Sequence, residues 1–130
     1  MTHPYQDLVR QANASYAAGD VGALQRQYLA EDVVWHVAGR GPLAGDYHGV
    51  DAVMALLGKI SDLSAGTARF ELHDVLANDD HTVSLATIKA QRGGKQYQDN
   101  VVHVMHVQNG KAVEIWTHVA DPFAAQEFWS

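Results

Sequence analysis

His103, His106, Trp116 and His118 are the residues of this chain whose types and spacing best suit chemistry. They fall within NVVHVMHVQNGKAVEIWTHVADPF, residues 100–123. An imidazole accepts and returns a proton near neutral pH, because its ordinary pKa is about 6.5. Asn109-Gly110 sets the geometry, since both central residues of a type I′ hairpin turn need positive φ. With those two as the loop, His103 faces Trp116, Val101 faces His118 and Met105 faces Glu114. The other side then pairs Val102 with Thr117, Val104 with Ile115 and His106 with Val113. Side chains alternate along a strand, so His103 and His106 point to opposite faces and HVMH is not a chelate. His103 and His118 become diagonal neighbours, about 7–8 Å apart at the backbone. They share a face with Trp116, Val101 and Met105, and that face is the expected pocket wall.

A strand histidine is more often a hydrogen-bonded or exposed residue than a catalyst. Two in one apolar cavity are a different matter. Burial favours the neutral imidazole, and mutual repulsion separates the two pKa values. One ring can then act as base while the other donates to a developing oxyanion. His103 and His118 are thus the expected catalytic pair, for proton abstraction beside a carbonyl in an isomerisation or aldol-type cyclisation. Trp35, Trp116 and the loop residue Tyr47 offer flat walls to an apolar, ring-shaped substrate. The alternative is a binder of a hydrophobic ligand that performs no reaction. A metal shared by His103 and His118 with Asp99 or Asp121 is a lesser option with no ligand motif behind it. No cofactor is expected.

The elements that must position these residues are legible in the hydrophobic pattern. Tyr5, Leu8, Val9, Ala12 and Tyr16 recur at helical spacing and predict a helix over 5–18. Gly19 suits the left-handed residue after it, and Asp20 is the expected cap of a second helix over 20–30. DVVWHV predicts a strand over 33–38, and the glycine-rich AGRGPLAGDYHG a loop across the pocket mouth. Val50, Val53, Met54, Leu57 and Ile60 return to helical period. The second half alternates as strands, with turns at Asn78-Asp79-Asp80, Gly93-Gly94 and Asn109-Gly110. Asp121 and Pro122 open a short closing helix, whose Phe123, Phe128 and Trp129 plug the pocket side or cover a sheet edge. Glu31-Asp32 reads as a solvated helix–strand turn, and His3, His73 and His81 as exposed.

The fold expected over 1–130 is a single α+β domain, with three N-terminal helices on a twisted, mostly antiparallel sheet and a cone-shaped cavity between them. The 130 residues include 47% hydrophobic and 18% charged residues, which is ordinary for a globular chain. The net charge of −6 and scattered basic residues argue against a nucleic-acid partner. No apolar run is long enough to span a membrane. The absence of cysteine and of an apolar leader in MTHPYQDLVR fits a cytoplasmic protein.

The element order, with YLAEDVVWHVAG, GPLAGDYHGVDAV and the C-terminal hairpin with its helical tail, resembles the SnoaL-like proteins of the nuclear transport factor 2-like superfamily. The resemblance covers nearly the whole chain. It implies a curved sheet wrapped around a long helix, a deep apolar pocket and a homodimer packed through the sheet. It points the face of His103, Trp116 and His118 inward, with Trp35 and Val37, and leaves His36 on the other side. By similarity to ketosteroid isomerase, the catalytic aspartate falls on Val37 and the oxyanion donors near Ala12 and on His103. By similarity to limonene epoxide hydrolase, a catalytic aspartate falls on His118, and its Arg and Asp partners fall near Thr87 and Lys89. That carboxylate–Arg–carboxylate set is absent here. In the polyketide cyclases of the group an acid/base residue occupies the same cavity, where an imidazole can replace it. The second face, with Val102, Val104, Val113 and Ile115, is the expected dimer seam, and the ligand expected is a small apolar molecule.

Overall fold

The computed structural model describes residues 3–20 and 22–130. Met1, Thr2 and Val21 lie outside it, so part of the leader reading and one position of the second predicted helix are not covered. Helix α1, Pro4–Ala17, starts with proline in its first turn, and His3 caps it by accepting from the Tyr5 amide at 3.1 Å. Its buried stripe is Tyr5, Val9, Ala12 and Tyr16, the set expected from spacing. Gly19 follows at φ +83°.

Helix α2 is shorter than expected, Ala23–Tyr28, and Asp20 does not cap it. The Asp20 backbone instead folds onto Ser15, its carbonyl accepting from the Ser15 hydroxyl at 2.6 Å. The Gln25 side chain takes over: its Oε1 accepts from the Gly22 amide, while its Nε2 donates to the Ala12 carbonyl at 2.9 Å. This buried amide fastens α2 to α1.

Strand β1, Leu29–Val37, begins earlier than predicted, so Glu31 and Asp32 are exposed strand residues. The glycine-rich stretch also contains a short strand, β2, Gly45–His48, which pairs Tyr47 with Trp35. Four residues are too few for periodicity to reveal. Helix α3 spans Val50–Leu63. Strands β3 (Arg69–Ala77), β4 (His81–Arg92), β5 (Lys95–Gln108) and β6 (Lys111–Val119) follow, and helix α4, Pro122–Trp129, closes the chain. The predicted turns are all in place: Asn78 Oδ1 accepts from the amides of Asp80 and His81, and Asn109 and Gly110 both have positive φ.

The six strands run in the order β2-β1-β6-β5-β4-β3, antiparallel except for the β1–β6 pair. Bulges in the β3–β4 and β5–β6 pairs bend the sheet, and the β1–β6 register also shifts between Leu29 and Val34. His73 is surplus on β3 between Leu72 and Asp74, and Val113 is surplus on β6 between Ala112 and Glu114. A bulge adds local twist and curvature. Helices α1 and α3 lie over the concave side, and residues from both face the same cavity as the sheet. The fold is the expected α+β cone.

The β6 bulge has a second effect. The hairpin starts in the predicted register, with Gln108 opposite Lys111 and Val107 opposite Ala112. Beyond Val113 every pair moves by one: His106 faces Glu114, Met105 faces Ile115, Val104 faces Trp116 and His103 faces Thr117. A one-residue slip exchanges the two faces of a strand. Ile115, expected at the outer seam, is fully buried inside, and Trp116 is turned outward.

Candidate functional site

A cavity of about 370 Å³ lies between the concave sheet and the helices. Its floor and walls are mainly aliphatic and aromatic, from Val9 and Leu57 to Phe70, Ile88, Ile115 and Trp129. An engineered cavity of roughly 150 Å³ holds benzene, so this one has room for two or three fused rings. Loop 38–44 and α4 form one border, where a Cβ built on Gly41 would stand 3.4 Å from the Gln126 Cγ.

His103 projects from β5 into this space. Its ring meets Trp35 edge to face, with centroids 5.4 Å apart and planes at 88°, and Phe70 lies 6.0 Å away on β3. The Ser84 hydroxyl, directly across on β4, is 3.4 Å from the His103 Nδ1. Protein surrounds the ring and its remaining surface faces the cavity. Burial, followed by the neighbouring positive charge of a protonated His118, lowers its pKa to about 4. His103 is therefore neutral at pH 7. Trp35 is itself fixed, its indole N–H donating to the Thr117 hydroxyl at 2.7 Å. The bulge is what brings Thr117 to this side.

Of the residues singled out from sequence, Trp35, Val37, Val101, Met105 and His103 line the cavity. The same slip sets His118 opposite Val102, on the Trp116 side of β6, where it is exposed at the cavity's border, so the two imidazoles do not share one enclosed space. Trp116 is on the opposite face, stacked on His36 with centroids 5.4 Å apart. Tyr47 is not in the wall either; its hydroxyl donates to the Leu43 carbonyl at 2.7 Å and so holds a residue that is. Val37, Ala12 and His103, the three positions that similarity to ketosteroid isomerase picks out, all line the cavity. Thr87 and Lys89 are not among its lining residues. Among the described residues no group of three or more His, Asp or Glu is placed to hold a metal ion. Asp99 is occupied, its Oδ2 accepting from the Tyr97 hydroxyl and the Asp121 amide at 2.9 Å each. Asp121 caps α4 by accepting from the Ala124 amide. Phe128 and Trp129 are buried as expected, whereas Phe123 is 82% exposed.

The SnoaL-like domain family matches residues 9–115. This chain belongs to the SnoaL-like family. Rv0034, an uncharacterized protein of Mycobacterium tuberculosis, is 36% identical over 125 residues, 95% of each chain. Bal32a, from a soil-derived mobile gene cassette, is 31% identical, with a TM-score of 0.90 over 97% of this chain and 96% of its own. IdmH from Streptomyces antibioticus, a candidate polyketide cyclase, shares the fold at a TM-score of 0.73 and 16% identity, over 96% and 99% of the two chains.

The SnoaL-like cavity also presents three residues that the sequence did not single out. Ser84 was within reach, because Gly93-Gly94 as a hairpin loop places it opposite His103. Tyr28 lies at the end of α2, and among the described residues its hydroxyl has no hydrogen-bond partner. Burial pushes its pKa up to about 12, so it stays a donor. Arg40, in the glycine-rich loop, also borders the cavity. No local pattern marks either residue, since each reaches the site through tertiary placement. Among the described residues no helix is long and apolar enough to cross a membrane.

Proposed function

We propose that this SnoaL-like protein binds an apolar, ring-bearing small molecule in the cavity and that His103 exchanges a proton beside its carbonyl group, as an isomerase or cyclase would. The observation behind this reading is a single neutral imidazole held by Trp35, Phe70 and Ser84 against an otherwise apolar space. A neutral ring is ready to accept a proton at pH 7, although a depressed pKa makes it a weak base. The reaction therefore needs the carbonyl polarised, and the unpartnered Tyr28 hydroxyl is the donor available for it. His103 takes the proton from the carbon beside the carbonyl, the electron pair moves to the oxygen, and Tyr28 stabilises the enolate by hydrogen bonding. Return of the proton to a different carbon isomerises the ligand. His118, exposed at the border, has no part in this scheme.

The same weak basicity favours a second reading, a binder without turnover. One experiment separates the two. The bicyclic ketone 2-tetralone is incubated with the protein in D₂O, and deuterium entering its α-carbons is followed by NMR. Enzymatic proton exchange predicts acceleration that is lost in His103→Leu while ketone binding persists. Binding with no acceleration in the wild type supports the binder, and absence of binding overturns both readings.

The homodimer is part of the same proposal. The outer sheet face carries partly exposed Val83, Leu85, Val102, Val104 and Trp116, an apolar strip suited to a second copy.

A further inference from the structure

The charges around the cavity are one-sided. The chain has 15 acidic residues against nine basic ones and a net charge of −6, yet no Asp or Glu is among the residues lining this cavity. Among the described residues its single permanently charged side chain is Arg40. Most polar groups of the wall are already committed. The Asn13 amide donates to the Phe70 carbonyl, both ends of the Gln25 amide are bonded, and Thr117 accepts from Trp35. Arg40 is different: among the described residues its guanidinium makes no hydrogen bond or ion pair, and it is exposed at the border. Its position is fixed by the loop that carries it. Gly39 and Gly41 flank it at φ +97° and +112°, conformations that few other residues adopt. Gly41 packs on Gln126, and Lys59 Nζ donates to the Pro42 carbonyl at 2.6 Å, which ties the loop to α4 and α3.

An apolar interior with a free guanidinium at its border suits one class of ligand. The rings occupy the dry interior, and a negative group is left at the mouth, where it keeps part of its hydration and meets a planar, two-pronged donor. A cationic ligand meets no carboxylate in the wall. We propose that the pocket selects hydrophobic carboxylates, with the carboxylate paired to Arg40 and the ring system directed inward toward His103. This rests on the reading of the cavity as a ligand pocket.

Three probes of one shape test it: 2-naphthoic acid, methyl 2-naphthyl ketone and 2-naphthylmethylamine, titrated by calorimetry at pH 7 and low salt. The acid is expected to bind about three- to tenfold more tightly than the ketone, as an exposed charge-assisted pair allows. The amine is expected to bind most weakly of the three. Arg40→Gln brings acid and ketone level without weakening the ketone, Arg40→Lys keeps part of the preference, and added salt shrinks it. Binding of the ketone as tightly as the acid, or a preference that survives Arg40→Gln, overturns the selection while leaving the pocket standing. Failure of all three probes and of 2-tetralone to bind overturns the pocket itself and this selection with it.

Discussion

Trp116 lies nearly flat against His36, with ring centroids 5.4 Å apart and planes 25° from parallel. The imidazole beneath that indole is also gripped at both nitrogens, Nδ1 by Asp46 at 2.7 Å and Nε2 by Glu114 at 2.6 Å. Two carboxylates can both be satisfied only if both ring nitrogens carry protons, so this geometry selects the imidazolium. An aromatic face beside a cation favours it further. The hydrogen bonds to Asp46 and then Glu114 raise the His36 pKa above its ordinary value. His36 thus joins β2, β1 and β6 across the outer face of the sheet.

A histidine with a raised folded-state pKa stabilises the fold fully below its unfolded value, and that contribution disappears as pH rises through the folded value. The expected outcome is a His36 imidazole resonance that titrates above the ordinary 6.5 in an NMR pH series. Trp116→Ala should move the midpoint down, as should Glu114→Gln. The amides of β2 should exchange faster above that midpoint, after correction for intrinsic rates. A His36 that titrates at or below the ordinary value in the wild type contradicts this ion-pair account.

Much of the architecture was readable because it follows from local pattern. The stripe of Tyr5, Val9, Ala12 and Tyr16, the turn at Asn109-Gly110 and the cap at Asp121 each depend on residues close in sequence. What escaped depends on the partner strand. The Asn-Gly turn correctly set Gln108 against Lys111, but nothing in KAVEIW announces that Val113 will stand unpaired. That one surplus residue sends Trp116 out and Ile115 in, so half of the candidate wall changed sides. The sequence contained one unused correction. Ile115 is a better interior residue than Trp116, because Trp116 shares its strand face with the acid Glu114.

The surplus residue makes its own prediction. Deleting Val113 leaves Ala112 paired with Val107 and Glu114 with His106, now without a bulge, so all side chains beyond keep their faces. The variant should fold with His36 still stacked by Trp116 and still titrating above its ordinary value. Loss of a half-buried valine and of local twist should cost about 1–2 kcal/mol in denaturant unfolding. If the hairpin instead ran in the unbulged register, the same deletion would swing Trp116 to the other face. The His36 resonance would then gain a ring-current shift that it lacked.

His103 titrates in the opposite sense to His36, and this separates the two faces of the sheet experimentally. Its folded-state pKa is lowered to about 4, by burial first and by His118 second. The unfolded chain therefore binds the proton more readily, and stability is complete above the ordinary histidine pKa and declines as pH falls from 6.5 toward 4. By pH 4.5 the loss from this one residue is on the order of 2–3 kcal/mol. His103→Leu, close in volume and without a titrating group, should match the wild type within about 1 kcal/mol at pH 7 and exceed it at pH 4.5. Chemical denaturation at the two pH values measures the difference. If both proteins lose stability in parallel across that interval, His103 does not hold its ring neutral in a buried site, and the proton-exchange role proposed for it loses its physical basis.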